Sequence, residues 1–383
     1  MSNRVYQVLT TVLLAGAVLG AFIANMVLPD RDFSPEENRM LQTLPSFSMA
    51  KYLDDRLENS MEAYANDQFL RKDDLVHIKK AWDESVGELE SNGVIRCSDK
   101  YLMEDITVPE KTTLIRTENA ILKFQQRYPK VPMYFLLAPN AANVLRGKLP
   151  LTVETHEQNN DIDAFFRTMK SGSITPIDVR PAFEEKRDSV QLYYRTDHHW
   201  TSDGAWEAYQ VAADVMKLKS GLEYTPYVVK NDFNGTLVSK SGYQNGLSDE
   251  IKVYLPKNEK NALRSVIFYA DTKKKTTQFF QLENLDTKDA YTVFGGSNHP
   301  RYSIETPTTS KEVLMVFKDS YANSFLPFLA QDYRKIIVID PRYCFEDIDT
   351  LMNSEGVTQV LFLYNANTFF NDTSLAMSLE VDA

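Results

Sequence analysis

Val313-Leu-Met-Val-Phe-Lys-Asp-Ser320 decides the fold. Five apolar residues run without a polar break, and then two charges and a hydroxyl arrive together. A strand with one wet face alternates, whereas an unbroken apolar run is buried on both faces, as in a parallel sheet covered by helices. The pattern recurs at Lys335-Ile-Ile-Val-Ile-Asp340 and at Gln359-Val-Leu-Phe-Leu-Tyr364, with helix-length segments between the runs. Together these runs predict an α/β fold on a parallel sheet. In such sheets functional groups gather in the crevice beyond the C-terminal strand ends. The runs deliver there Lys318-Asp319-Ser320, Asp340-Pro341-Arg342-Tyr343 and Asn365-Ala366-Asn367.

Upstream, residues 220–310 are rich in Tyr, Thr, Asn, Gly and Lys. Runs such as Ser265–Ala270 and Thr276–Leu282 predict a β-rich insertion there. Gly204–Leu218 has the apolar spacing of an amphipathic helix. Val131–Ala138 reads as a further buried strand and Ile174–Val179 as another, with a helix over Ile162–Met169 between them. Gly93–Arg96 and Tyr101–Met103 are short β-type runs. Between Ser48 and Glu90, apolar residues at helical spacing (Met61, Tyr64, Phe69, Leu75, Ile78, Trp82) predict helices, and Ser34-Pro-Glu-Glu37 reads as a helix start.

Val8–Leu28 is 21 residues long and holds only Thr10, Thr11 and Asn25 as polar members. That is long enough to cross a bilayer as a helix. Arg4 precedes it, while Asp30, Asp32, Glu36 and Glu37 follow, so the N-terminus is expected inside and the rest outside. An uncleaved anchor is the expected form; Ala15-Gly-Ala17 also has the small-x-small shape of a cleavage site. The expected organisation is an anchor over 1–29, a helical stalk over 30–90 and an α/β domain over 91–383 with an insertion at about 220–310.

A net charge of −11 argues against a general nucleic-acid binder, because neutralising phosphates needs a basic face. The two cysteines, Cys97 and Cys344, have no metal-ligand spacing and read as buried thiols.

Chemistry concentrates in Arg195-Thr-Asp-His-His-Trp-Thr-Ser-Asp-Gly204, where two of the five histidines stand together. Serine becomes a nucleophile when a base takes its proton, and the base works best when a carboxylate fixes its tautomer. In an extended loop Asp197 and His199 share a side while His198 faces away. His199 is therefore the expected base, Asp197 its orienter, and His198 a substrate contact. Ser320, at a strand end where helix N–H groups begin, is the expected nucleophile; the position also suits a helix cap. A metal held by Asp197, a histidine of the pair and His299 fits poorly, since adjacent histidines diverge and no spaced ligand pair occurs. No metal and no cofactor is expected.

Asp197-His198-His199-Trp200, with Thr201 and Gly204, resembles the signature of the bacterial DHHW proteins. These are similar to the alginate O-acetyltransferase-like branch of the SGNH hydrolase superfamily. The resemblance continues through Gly93-Val-Ile, Tyr101-Leu, Phe294–Pro300, Lys318–Ser324, Ile339–Tyr343 and Leu363–Asn365. It implies an SGNH-hydrolase-like fold in which Ser320 matches the nucleophile of a Gly-Asp-Ser block. Asp197 and His199 match its Asp-x-His pair, and Asn365 or Asn367 stands where the oxyanion asparagine ends its strand. Arg342 is a further candidate substrate contact.

The resemblance implies acetyl transfer to an extracellular or cell-surface polysaccharide, with a multi-pass membrane O-acyltransferase supplying the acetyl group. An esterase removing the same groups is an alternative. So is a silent carbohydrate-binding scaffold, which Lys318 favours because it replaces the glycine beside the nucleophile. Trp200, Tyr321 and Tyr343 are candidates for stacking on sugars, with core packing as the plainer expectation.

Overall fold

The structure is a computed structural model that describes residues 3–34, 39–218, 221–243, 246–258 and 264–380. The chain divides into two compact units, Met1–Glu88 and Leu89–Ala383. In the first, Asn3–Val27 is one helix, and its Arg4–Asn25 stretch is long and apolar enough to cross a membrane. Helices Met49–Leu53, Arg56–Asp67 and Lys72–Ser85 follow. Their periodic apolar residues are not a core stripe: Ile78 and Trp82 are each 67% exposed. The helix start expected at Ser34–Glu37 falls mostly outside the described residues; Ser34 itself pairs with Arg39 in a two-residue ladder.

The second unit is built on an eight-stranded sheet. Its strands in chain order are β1 (Met133–Ala138), β2 (Thr175–Ile177), β3 (Val266–Tyr269), β4 (Lys275–Thr276), β5 (Arg301–Glu305), β6 (Val313–Lys318), β7 (Lys335–Ile339) and β8 (Gln359–Asn365). Their spatial order is β4-β3-β5-β7-β6-β8-β1-β2. The strands from β7 to β2 are all parallel to their neighbours, as the unbroken apolar runs predict.

Alternate residues of these strands feed two separate cores, which is why their central positions are all apolar. Leu314, Val316, Val338, Leu361 and Leu363 pack on one face with helix Ser202–Met216. Met315, Phe317, Ile337, Phe362 and Phe135 pack on the other with helices Lys111–Arg127 and Gln158–Ser171.

The 220–310 segment is rich in strands. Its first half forms an antiparallel hairpin, Tyr224–Phe233 with Asp249–Pro256. Its second half supplies β3, β4 and β5, which extend the main sheet with antiparallel pairs beyond β7. The alternating run Thr276–Leu282 is a strand only at its first residue, at the sheet edge; further on, Phe280 pairs with Phe294 in an isolated bridge. Cys97 and Cys344 are free and buried.

Candidate active site

β6 ends at Lys318, and Asp319 turns the chain into a short 3-10 helix over Ser320–Ser324. The cap is Asp319, whose side chain accepts from Tyr321 N at 2.9 Å and from Asn365 N at 2.7 Å. Ser320 is thus relieved of the capping role and its hydroxyl is free to face a base. Burial raises the Asp319 carboxyl above its ordinary range, against the pull of those two N–H groups.

His199 Nε2 lies 2.7 Å from Ser320 Oγ, and His199 Nδ1 lies 2.6 Å from Asp197 Oδ1. That second contact places the imidazole proton on Nδ1 and leaves the Nε2 lone pair toward the serine. Asp197 Oδ2 accepts from Thr236 N at 2.8 Å and Thr236 Oγ1 at 2.9 Å, so neither carboxylate oxygen is orphaned. Burial pushes His199 below its ordinary value, with His198 adding to the effect and Asp197 opposing it. Burial works to raise Asp197, but His198, His199 and Thr236 together hold it well below the usual carboxylate range. His199 is therefore neutral and Asp197 ionised near neutral pH.

Each position of the motif has a local task. Asp249 is buried and accepts from Arg195 N at 2.9 Å, Thr196 N at 2.8 Å and Thr196 Oγ1 at 2.6 Å, which pins the start of the loop. Trp200 is fully buried, its indole N–H shared between Tyr321 O and Ser324 Oγ at 3.0 Å each, so it ties the histidine loop to the serine turn. Thr201 caps helix Ser202–Met216 by accepting from Gly204 N at 3.0 Å. A Cβ on Gly204 would sit 2.3 Å from Leu192 O, so only glycine fits there.

Gly235 makes a comparable approach to the catalytic candidates. A Cβ there would lie 2.2 Å from Asp197 Cβ and 2.5 Å from Asp197 Oδ2. Gly235→Ala is expected to push the carboxylate off His199 and lower kcat by about 10²-fold, since misplacement by an ångström has that order of effect. Steady-state kinetics beside circular dichroism checks this; a folded variant with wild-type kcat would refute it.

Other expectations need correction. His198 does not face away: residues 195–199 bend rather than extend, so strand alternation does not apply. Its ring lies 3.9 Å from that of His199, and its Nδ1 meets Thr236 Oγ1 at 2.7 Å.

Asn365 and Asn367 are tied into a buried amide network rather than into the Ser320 chain. Asn365 Nδ2 donates to Ala138 O at 3.4 Å, and its Oδ1 accepts from Asn140 Nδ2 at 3.2 Å. Asn367 Nδ2 donates to Asp105 O at 2.8 Å, and Gln158 Nε2 reaches both Asn140 Oδ1 and Asn367 Oδ1. Asn140 and Gln158 were not legible as members of this network.

Arg342 is clamped onto Asp340 by two hydrogen bonds of 2.8 and 2.7 Å, which raise its pKa further. Lys318 is turned away from the nucleophile: its ammonium donates to Asn323 Oδ1 at 3.0 Å and lies 3.7 Å from Asp340 Oδ2. Trp200 and Tyr321 are core residues, and only Tyr343, 44% exposed, is open for stacking.

Ligand atoms of Asp197, His198 and His199 lie within 4.8 Å of one another. The contacts of His199 with Asp197 and Ser320 occupy both its ring nitrogens, however, and His299 pairs instead with Asp271 at 2.9 Å.

Sequence reasoning also missed three neighbours of the triad: Thr236, Tyr291 and Asp289. Burial, with Asp197 adding and His198 opposing, pushes the Asp289 carboxyl up to about 6.

Comparison with known proteins agrees with this architecture. Residues 103–266 match the family model of the SGNH hydrolase-like domain of acetyltransferase AlgX, a stretch that includes Asp197 and His199 and ends before Ser320. Alginate biosynthesis protein AlgX of Pseudomonas aeruginosa is 32% identical over 85 residues, 22% of this chain and only 18% of that protein's length. A DHHW family protein from Eubacterium siraeum superposes with a TM-score of 0.62 at 20% identity, over 77% of this chain and 97% of the other. Bacillus cereus PatB1, solved with a sulfonyl adduct, gives a TM-score of 0.59 at 21% identity, over 73% and 98%. Residues 103–266 are therefore similar to the SGNH hydrolase-like domain of the acetyltransferase AlgX, and the α/β fold is shared with the DHHW family protein.

Proposed function

We propose that this protein is a serine O-acetyltransferase that modifies hydroxyl groups of a cell-surface or secreted polysaccharide through an acyl-Ser320 intermediate. The observation that carries the reading is the unbroken chain Asp197–His199–Ser320, with links of 2.6 and 2.7 Å. In the first half-reaction, His199 Nε2 takes the Ser320 proton as Oγ attacks the acetyl carbonyl. The same nitrogen then returns that proton to the departing donor group. In the second, Nε2 takes a proton from a sugar hydroxyl, whose oxygen attacks the acyl carbonyl, and returns it to Ser320 Oγ as the bond from Oγ to the acyl carbon breaks. The Lys318 ammonium, held by Asn323 and Asp340, leaves the nucleophile unblocked, which speaks against a silent scaffold.

The apolar helix Arg4–Asn25 supports a single-pass anchor with the α/β domain outside the cytoplasm. Acetyl groups made inside would then have to cross the bilayer, a task suited to a multi-pass membrane O-acyltransferase partner. The AlgX match supports transfer to a polysaccharide rather than to a small molecule.

The test uses the full chain in detergent with p-nitrophenyl acetate, quenched, digested and read by mass spectrometry. Acetyl on the Ser320 peptide in wild type, absent from Ser320→Ala, is the expected result. Added neutral oligosaccharide should discharge the label into acetylated sugar faster than water does. Turnover without any label at Ser320 would refute the intermediate. Discharge only to acetate would make the protein an esterase.

A further inference from the structure

The tyrosine that follows Asp289-Ala290 plays no part in the reaction just described, yet it touches both reacting partners. The Tyr291 ring lies parallel to the His199 imidazole, with centroids 3.7 Å apart and planes 11° apart. Its hydroxyl lies 3.2 Å from Ser320 O, to which it donates, and 3.2 Å from Ser324 Oγ. The side chain is 3% exposed and is wedged by Tyr194, edge-on at 6.3 Å, and Phe294 at 5.3 Å. It comes from the short turn Ala290–Val293, in the segment that precedes β5.

We propose that Tyr291 is a positioning residue that holds the general base by its ring face and the nucleophile's turn by its hydroxyl. The inference rests on the acyl-serine reading of Ser320 and His199. Asp197 and Ser320 restrain the imidazole only at its two nitrogens, and these contacts alone allow the ring to rock about the line joining them. A parallel ring at van der Waals distance removes that freedom on one face. On the other side, His198 at 3.9 Å and Tyr321 at 5.3 Å complete the clamp. The hydroxyl adds a second function. By bonding Ser320 O it fixes the backbone that carries Oγ, so base and nucleophile share one rigid reference.

The ionisable groups that act on His199 are His198, Asp197 and Glu104. Burial is the main cause of the lowered His199 pKa. Tyr291 covers one face of that ring, so its removal should admit water and raise the value towards that of an ordinary histidine.

The experiment compares wild type, Tyr291→Phe, Tyr291→Ala and Ser320→Ala as full chains in detergent. It reads kcat and KM for p-nitrophenyl acetate, and the His199 ring titration by NMR with labelled histidine. Tyr291→Ala should lower kcat by about 10²-fold with KM little changed. Its His199 titration should move up, together with the acid limb of kcat/KM. Tyr291→Phe should keep the wild-type titration and most of kcat. A folded Tyr291→Ala with unmoved titration and wild-type kcat would overturn the proposal, and so would a Phe variant as impaired as the Ala variant. If wild type is no faster than Ser320→Ala, the acyl-serine reading fails. The NMR titration still decides whether Tyr291 governs His199.

Discussion

Ser320→Ala and His199→Ala are each expected to lower kcat by about 10⁶-fold, with the double variant no worse than either single one. The reason lies in the links of 2.7 and 2.6 Å that make the three side chains one device. Without Oγ nothing is left for the base to activate, and without the base Oγ stays a protonated alcohol of weak nucleophilicity. Asp197→Asn should cost less, about 10⁴-fold, because serine and base both remain but the amide favours the wrong imidazole tautomer. Strict additivity of the Ser320 and His199 losses would mean that the two act separately.

The same device sets the pH dependence. Neutral His199 is the active form, and burial lowers its pKa below the ordinary 6.5. As pH falls, kcat/KM should therefore hold through 6.5 and decline only at lower pH. A midpoint above 6.5 would contradict the buried, neutral base.

Asp340→Ala is expected to destabilise the fold by about 3–5 kcal/mol, the usual effect of removing one partner from a buried ion pair. Asp340 is fully buried and accepts both arms of Arg342 while lying 3.7 Å from the Lys318 ammonium. Its loss leaves two cations at the ends of β6 and β7 with no carboxylate between them. Burial already pulls Lys318 below its ordinary value, so part of the response would be loss of its proton. Lys318→Met is the informative contrast. It removes one charge, keeps the Arg342–Asp340 clamp and fills the space with an apolar chain, so its effect should be far smaller. Urea unfolding midpoints of the full chain in detergent, compared across the three proteins, check the order. Equal losses for the two variants would mean that packing rather than charge is at stake.

The parallel core was legible because its strands are buried on both faces. Val313–Phe317 and Val360–Leu363 are buried without a polar residue, and the sequence shows both runs without breaks. The meeting of Asp197, His199 and Ser320 was legible for a different reason. Asp197 and His199 are close in the chain, and Ser320 stands where a strand must end. Tyr291, Asp249 and Gly235 were hidden, because each reaches the site through contacts made only after the 220–310 segment has folded back. The amides of Asn365 and Asn367 misled for a related reason. Their position at a strand end was right, but which way a side chain turns there depends on neighbours such as Asn140 and Gln158.

Ser320 and His199 stand 121 positions apart in the chain, and β6 reaches its neighbours β7 and β8 only through long-range parallel pairing. Pairings of that kind are entropically slow to close. Asp197, His199, Tyr291 and Ser320 come together only once those pairings are made. The site is thus assembled by the long-range pairing of the sheet itself, late in folding, and not by any local segment of the chain.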